Sequence, residues 1–269
     1  MRAVEPLGGP ESHPLEVLFV DQPTPSMYLP DLTSPEVKEL LPGVKLAIIP
    51  VGATEQHGPH GCMDYDTATA HEFSKRLAQR LYPQVLVAPV IQIGVSGHHM
   101  RFSGSLTLRA NTLTDVVMDV AWSLGQHGVK KFFFANGHGG NNPSLGVAAN
   151  RIKQEYGAEV AWATVPYDAV TDVTAKHAKT KVYGHACEIE TSILLYLKPD
   201  SVRRDRLTKG ELRPEHRRVD LAREVKYFDE VTVNGAQGDA NLASVEIGRE
   251  LVETGLDRYA EYLQAFMDR

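Results

Sequence analysis

The chain has 269 residues, of which 42% are hydrophobic and 23% are charged, close to the averages of globular proteins. This composition excludes a collagen-like rod and a disulfide-stapled scaffold. The 28 basic and 34 acidic side chains leave a formal net charge of −6, so we expect no nucleic-acid partner. No apolar run reaches the roughly 18–20 residues that a membrane helix needs. With two cysteines and no signal-peptide pattern at its start, the sequence predicts a cytoplasmic protein without membrane contact.

The first 30 residues are rich in proline and low in periodic apolar positions. They predict an extended arm over residues 1–30 that packs on the body of the protein or on a neighbouring subunit. The rest of the chain, residues 31–269, shows no internal repeat. Its polar stretch over residues 203–223 is interpreted as a surface excursion, because no second apolar core follows it. The sequence therefore predicts one domain after the arm.

Apolar runs and helical patterns alternate along this domain. Strands are predicted at residues 44–51, 84–93, 131–135 and 158–165, and helices at residues 66–81, 113–126, 143–156, 189–197 and 244–267. Such alternation indicates βαβ crossovers and a mainly parallel sheet covered by helices, which is an α/β fold.

A first group of polar residues follows the first strand. Glu55 and His57 are two positions apart, so their side chains leave the same face if the chain stays extended. Asp66, at the start of the next helix, can reach them from the other side of the loop. This mixture of carboxylates and imidazole suits Zn²⁺ or Mn²⁺.

Two further groups also follow predicted strands. His138 stands in a glycine-rich turn over residues 136–142, where small neighbours allow a ligand to approach closely. His185, Glu188 and Glu190 surround the start of a later helix. Because the loops at the carboxyl ends of parallel strands converge, the three groups together predict one composite site. Helical periodicity does not separate Glu188 from Glu190.

Several of these residues also fit roles outside a metal site. Asp66 could simply cap its helix, and Glu188 could oppose a helix dipole. The glycine-rich turn lacks the lysine of a P-loop, so nucleotide binding is weakly supported. The serines near residues 96–105 do not form a GxSxG elbow, whereas Cys187 offers a thiolate nucleophile as an alternative.

Residues 51–60, with Asp66, resemble the opening metal motif of the creatininase (creatinine amidohydrolase) family. Residues 136–141 and 185–192 resemble the other two signature segments of that family, in the same order, and residues 235–248 resemble a further segment. The resemblance implies a three-layer α/β/α sandwich with a mainly parallel sheet. It also implies a binuclear metal centre and a homohexamer built as a trimer of dimers.

The resemblance carries metal-binding roles to named positions. Glu55 and His138 would bind one metal ion, His57 would bind the other, and Asp66 would bridge them. Creatininase supplies its last carboxylate two residues after the histidine of the second motif, where this chain has glycine. Glu190, which matches the glutamate before Thr-Ser in the third motif, is predicted to replace it.

Catalytic and substrate-binding roles follow in the same way. His185 matches the acid/base histidine of the family, and Glu188 is assigned a catalytic role beside it. Tyr167 stands where creatininase has the tryptophan that closes over creatinine, and His60 and His99 are predicted to line the same pocket. The changes at residues 140 and 167 favour a substrate other than creatinine.

The resulting prediction is a metal-dependent hydrolase that opens a small cyclic amide. A hydroxide between two divalent ions, Zn²⁺ or Mn²⁺ with Fe²⁺ as a further option, would attack the ring carbonyl, and His185 would protonate the departing nitrogen. The carboxylates of Glu55, Asp66 and Glu190 carry a total charge of −3, and two divalent ions carry +4. One hydroxide neutralises the remaining charge of +1.

Two kinds of alternative accompany this prediction. The same site could cut a carbon–carbon bond in a cyclic ketone of the keto-inositol type, or a formamide on a heterocycle. In a different class, the chain could be a non-catalytic metal-bound scaffold in a biosynthetic assembly, with a closed metal shell.

Overall fold

The centre of the protein is a four-stranded parallel sheet. The computed structural model describes residues 25–214 and 224–269. Its strands are β1 (Leu46–Val51), β2 (Val85–Val87), β3 (Lys131–Asn136) and β4 (Glu159–Thr164), in the order β2-β1-β3-β4. All three neighbouring pairs are parallel, as the alternating pattern predicts.

The second strand is much shorter than the predicted residues 84–93. After β2, Ala88 still donates its backbone N–H to Ile48, at 2.9 Å. The next residue is Pro89, which has no N–H to donate, so the regular ladder ends there.

Seven α-helices surround the sheet in the described part of the chain: α1 (Ser34–Leu40), α2 (Tyr65–Arg80), α3 (Ala110–Gln126), α4 (Asn142–Tyr156), α5 (Thr171–His177), α6 (Glu188–Leu197) and α7 (Val245–Met267). The five long helices match the predicted ones to within a few residues. Helices α1 and α5 were not predicted. Helix α1 has no buried residue and α5 buries only Val173, so neither has an apolar periodicity to detect.

Alternate residues of the strands enter two separate cores. Ile48 and Phe133 pack with helices α2, α6 and α7 on one face of the sheet. Ile49 and Phe134 pack with α3 and α4 on the other face. All four side chains are almost completely buried, each worth roughly 1.5–3 kcal/mol of transfer free energy. This arrangement confirms the three-layer α/β/α sandwich.

The end of the predicted arm packs against the edge of the sheet. Val87 donates its backbone N–H to the carbonyl of Met27 at 2.8 Å, and Tyr28 forms a parallel bridge with Val87. Met27 is buried in the core. Residues 25–30 therefore contact the body of their own chain, and the earlier part of the arm lies outside the described residues.

The strand order fixes where a site can form. From β1 the chain crosses to β2 on one side and then returns to β3 on the other side of β1. The loops that follow β1 and β3 separate at this switch point and leave a crevice between them, which is where ligands of such sheets bind. Among the described residues, no helix is both long and apolar enough to cross a membrane.

Candidate metal centre

The loop after β1 delivers Glu55 and His57 into a buried crevice. Glu55 has no exposed surface and His57 is almost as buried. The Nδ1–H of His57 faces the backbone carbonyl of Glu55 at 3.2 Å. This contact leaves His57 Nε2 available to a ligand, which is the usual arrangement of a metal-binding histidine.

Asp66 enters from the first turn of α2 and lies between two imidazoles. Its Oδ1 is 3.2 Å from His57 Nε2, and its Oδ2 is 3.1 Å from His138 Nδ1. The approach depends on Gly137, because a Cβ atom there would collide with the backbone carbonyl of Asp66. The start of α2 therefore packs directly on the chain that leaves β3.

His138 joins the loop after β3 to the same cluster. Its Nδ1 is 3.3 Å from Glu55 Oε1, and its Nε2 is 3.2 Å from the carbonyl of Val95. A Cβ atom on Gly140 would collide with both His138 Nε2 and the Val95 carbonyl. The loop thus has no room for a side chain at residue 140.

His185 and Glu190 approach from the start of α6. The backbone N–H of Ala186, which has a φ of 50°, donates to Glu190 Oε2 at 2.6 Å. One ligand atom from each of His57, His185 and Glu190 lies within 4.8 Å of the others. His185 Nε2 is 2.8 Å from the backbone carbonyl of Gln56, and its Nδ1 is 3.8 Å from Glu55 Oε1.

Glu188 has different neighbours. Its Oε1 accepts hydrogen bonds from the Thr180 hydroxyl at 2.6 Å and from the backbone N–H groups of Lys179 and Thr180. Its Oε2 accepts from the backbone N–H of Asp239 at 3.0 Å. Burial would raise the pKa of Glu188, but these donors lower it. Glu188 therefore joins two loops to the start of α6, and none of the metal-capable groups in the described chain includes it.

The three residues predicted to line the pocket occupy different places. Tyr167 lines a cleft of about 180 Å³ together with Tyr183 and Glu190. His99 is buried, with its Nε2 3.3 Å from Glu55 Oε1. His60 is completely buried, and its Nε2 lies 3.2 Å from the Thr191 hydroxyl. Of the three, only Tyr167 lines that cleft.

The electrostatics of the cluster follow from burial and from the close charges. Burial raises the pKa of Glu55 to about 7, against the attraction of His138. Burial would raise the pKa of Asp66 too, but His57 and His138 hold it well below its usual range. Burial works to lower the pKa of these two histidines, yet the neighbouring carboxylates raise both to about 9. The carboxylates therefore attract positive charge strongly, whether protons or metal ions supply it.

Several buried atoms of the cluster lack hydrogen bonds within the part of the chain that the structure describes. They are both carboxylate oxygens of Glu55, Nε2 of His57 and Oδ2 of Asp66. Leaving such atoms unpaired is costly. One ligand atom from each of these three residues lies within 4.8 Å of the others. Carboxylate and imidazole donors that converge without hydrogen bonds fit a divalent metal ion.

Two neighbours of the site carried no diagnostic spacing in the sequence. The ring of His98 stacks on that of His138, with centroids 5.6 Å apart. The ring of Phe228 packs against those of His99 and His185, at 4.4 and 4.7 Å. Phe228 follows a long polar stretch in the sequence, so no local pattern connects it with the histidines.

The segment that carries Phe228 is held by Arg101. Its guanidinium lies 3.3 Å from Asp229, 3.1 Å from Glu230 and over the ring of Tyr227. Cys187, the alternative nucleophile, is buried beside the cleft, and burial raises the pKa of its thiol to about 12. A thiol with that pKa is a poor nucleophile at neutral pH.

Comparison with known proteins agrees with this geometry. The creatininase family model, described as creatinine amidohydrolase, matches residues 30–263. The mycofactocin precursor peptide peptidase of Mycobacterium ulcerans (strain Agy99) is 31% identical over 247 residues, which are 86% of this chain and 89% of that protein. The creatinine amidohydrolase of Pseudomonas putida is 31% identical over 199 residues, covering 68% of this chain and 76% of that protein.

Solved structures show the same fold. A creatininase with manganese and a creatininase variant of the Zn–Zn type superpose with TM-scores of 0.76 and 0.75. Each is 26% identical in sequence, over 91% of this chain and 100% of the other. The fold, the motifs and the family match lead to one conclusion: this chain belongs to the creatininase family of metal-dependent hydrolases.

Proposed function

We propose that this chain hydrolyses an amide bond with the help of two divalent metal ions. The observation that carries the proposal is the buried cluster of Glu55, His57, Asp66 and His138. Its facing atoms are 3.1–3.3 Å apart, and four of its buried polar atoms lack hydrogen bonds in the described chain. Such a cluster is expensive in a metal-free protein and is stabilised by bound cations.

The distances support a division of the ligands into two sets. Glu55 and His138 would hold one ion, and His57 and Glu190 the other. Asp66 would bridge the two ions, since its two oxygens face His57 and His138 separately. Gly140 leaves no space for a carboxylate on the second motif, which favours Glu190 as its replacement. Carboxylates and imidazoles suit Zn²⁺ or Mn²⁺, and Fe²⁺ is a further option.

Two divalent ions held by these residues would lower the pKa of bound water from 15.7 to about 7 and would polarise a carbonyl group. The chain supplies the proton transfer. The Nε2–H of His185 faces the Gln56 carbonyl, so its Nδ1 is left to accept a proton and then to deliver it to the departing nitrogen. General acid–base help of this kind typically contributes roughly 10²–10⁴-fold. Phe228 packs on the His185 ring and limits the access of water to it.

The cleft beside Glu190 limits the size of the substrate. It holds about 180 Å³, whereas pockets for drug-sized ligands usually hold roughly 300–1,000 Å³. A small cyclic amide fits this volume, and so does the end of a peptide. Tyr167 in place of a tryptophan argues against creatinine itself. The similarity to a protein named as a precursor peptide peptidase makes a linear peptide amide the second candidate.

The experiment is a substrate panel read by mass spectrometry. Creatinine, other lactams, N-formyl heterocycles, a cyclic ketone and short peptides are incubated with the metal-loaded protein. Opening a ring gives one product heavier by one water, and cutting a linear peptide gives two products. We expect Asp66→Asn to abolish turnover. Undiminished activity in a folded protein stripped of metal would overturn the proposal.

A non-catalytic scaffold is the alternative from another class. It requires a closed metal shell without an open position. The cleft reaches Glu190 directly, which supports a site open to a substrate. Metal analysis with a bound-water probe, such as relaxation of solvent protons by Mn²⁺, separates the enzyme from the scaffold.

The homohexamer stays a prediction. Two aromatic side chains on the described surface, Trp122 of α3 and Trp162 of the edge strand β4, are exposed by 51% and 38%, and burial of such residues between subunits supports assembly. Light scattering after gel filtration measures the mass directly. The cytoplasmic location also stays a prediction.

A further inference from the structure

Gln56 lies between the two metal-binding residues of the first motif, yet its side chain points away from them. It is nearly buried, and its Oε1 accepts the backbone N–H of Gly58 at 2.9 Å. A Cβ atom on Gly235 would collide with the same oxygen, so the chain leaves a space for it there. Because an oxygen must face the Gly58 donor, the other end of the amide is its NH₂ group.

That NH₂ group lies 2.9 Å from Nδ1 of His99. An amide nitrogen only donates hydrogen bonds, so this Nδ1 must be the unprotonated nitrogen of a neutral imidazole. The proton of His99 is then on Nε2, which lies 3.3 Å from Glu55 Oε1. A protonated Nε2 has no lone pair for a metal ion.

The same amide nitrogen lies 3.0 Å from Nε2 of His185, but a second contact decides the state of that ring. The backbone carbonyl of Gln56 is closer to this Nε2, at 2.8 Å, and a carbonyl only accepts. Two acceptors at this distance would repel each other. His185 Nε2 therefore carries a proton that points to the Gln56 carbonyl, and the side-chain amide of Gln56 donates to His99 Nδ1 rather than to His185.

We propose that Gln56 is a positioning residue whose side-chain amide holds His99 in the tautomer that keeps the proton on Nε2, the nitrogen that faces Glu55 Oε1 at 3.3 Å, so that His99 lies beside a metal ligand without becoming one. The proximity of Glu55, His99 and His185 alone would allow a third metal-binding set, and the tautomer removes His99 from it. Residues that orient metal ligands through hydrogen bonds typically change metal affinity or activity by roughly 10–100-fold when they are replaced.

The inference rests on the proposed metal centre only through Glu55, and its test reads the tautomer itself. Zinc-loaded protein with ¹⁵N-labelled histidine is studied by long-range ¹H–¹⁵N correlation, and the His99 signals are identified by their loss in His99→Asn. In the wild type we expect a proton on Nε2 and an unprotonated Nδ1. A proton on Nδ1 in the wild type would overturn the inference even if two metal ions are bound.

The isosteric variant Gln56→Glu replaces the hydrogen-bond donor that faces His99 Nδ1 with an acceptor. A carboxylate has no N–H to donate, so the proton of His99 should move to Nδ1, and competition with a chelator should show metal binding weakened by roughly 10–100-fold. Gln237→Glu is the matched control, because it adds the same charge on a residue whose backbone N–H donates to the backbone carbonyl of His185 at 2.8 Å. We expect it to leave both the tautomer and the metal affinity unchanged.

Two outcomes would refute the role of Gln56. One is a folded Gln56→Glu protein in which His99 keeps its proton on Nε2, and the other is an equal loss of affinity in Gln237→Glu. If Gln56→Glu does not fold, Gln56→Met removes the amide at similar volume and should give a mixture of both tautomers. Failure of the wild type to bind metal at all would instead refute the proposed function.

Discussion

Glu188 and Glu190 are two residues apart in the first turn of α6, but their carboxylates serve different parts of the molecule. Glu190 lines the cleft and accepts the backbone N–H of Ala186. Glu188 turns to the loops that carry Thr180 and Asp239. A helical rotation of about 200° between positions two apart accounts for this separation.

The first prediction compares these two residues directly. Glu190→Gln should reduce the bound metal from two ions per chain towards one, because it removes a charged ligand. Glu188→Gln should keep both ions but destabilise the protein by about 1–3 kcal/mol, because it weakens charge-assisted hydrogen bonds. Elemental analysis and thermal unfolding measure the two effects. Loss of metal in Glu188→Gln with full retention in Glu190→Gln would reverse the assignment.

The second prediction concerns the bridging position. Asp66→Asn should lower the affinity for both ions together, because the one carboxylate faces both His57 and His138. Asp64→Asn is the control. Asp64 pairs with Lys198 at 2.6 Å outside the cluster, and its side chain makes no capping hydrogen bond at the start of α2. Calorimetric titration of the stripped proteins with Zn²⁺ gives both affinities, and a variant that loses only one ion would argue against a bridge.

The third prediction is a rise of metal affinity with pH. In the metal-free protein the pKa values of His57 and His138 are raised to about 9, and those of Glu55 and Glu190 to about 7. Below these values the groups hold protons that a metal ion must displace. Competition with a chelator at pH 6, 7 and 8 should therefore show binding that strengthens at each step, with protons released on binding. Affinity independent of pH would contradict this set of ligands.

The fourth prediction compares two neighbouring glycines. Gly140→Ala should impair metal binding, since the added methyl group collides with His138 Nε2 and the Val95 carbonyl. Gly139→Ala should have little effect on metal content, because no atom of residues 25–214 or 224–269 outside its immediate neighbours lies within 4 Å of the added methyl group. The two variants differ only in where one methyl group is placed. Equal metal content in both would show that the loop adapts, and would remove the steric reason for a glycine at residue 140.

Much of the fold could be predicted from the sequence because its signals are local. Continuous apolar runs marked β1 and β3, which are buried on both faces, and the long helices carry periodic apolar residues. Helix α1 could not be found in this way, because it begins with a Thr33–Glu36 capping box but buries no side chain. The sequence also overestimated β2, where Pro89 interrupts a run that looks apolar throughout.

The candidate site was predictable where one short motif holds several ligands, as with Glu55 and His57. It was not predictable where the decisive contact joins distant parts of the chain. Gln56 is one more polar residue of its motif until the structure shows its amide against His99. Phe228 lies in no recognisable sequence motif. Its ring reaches His185 because the segment that carries it is held by Arg101.

The absence of a side chain at residue 137 has a consequence for any redesign of this protein. The backbone of Asp66 occupies the space that a side chain on Gly137 would need. The start of α2 and the end of β3 therefore pack together without an intervening side chain. A side chain at residue 137 would displace the start of α2 and, with it, the Asp66 carboxylate. Grafting this centre onto another parallel sheet would therefore require the glycine to be transferred along with the aspartate, although the glycine binds nothing.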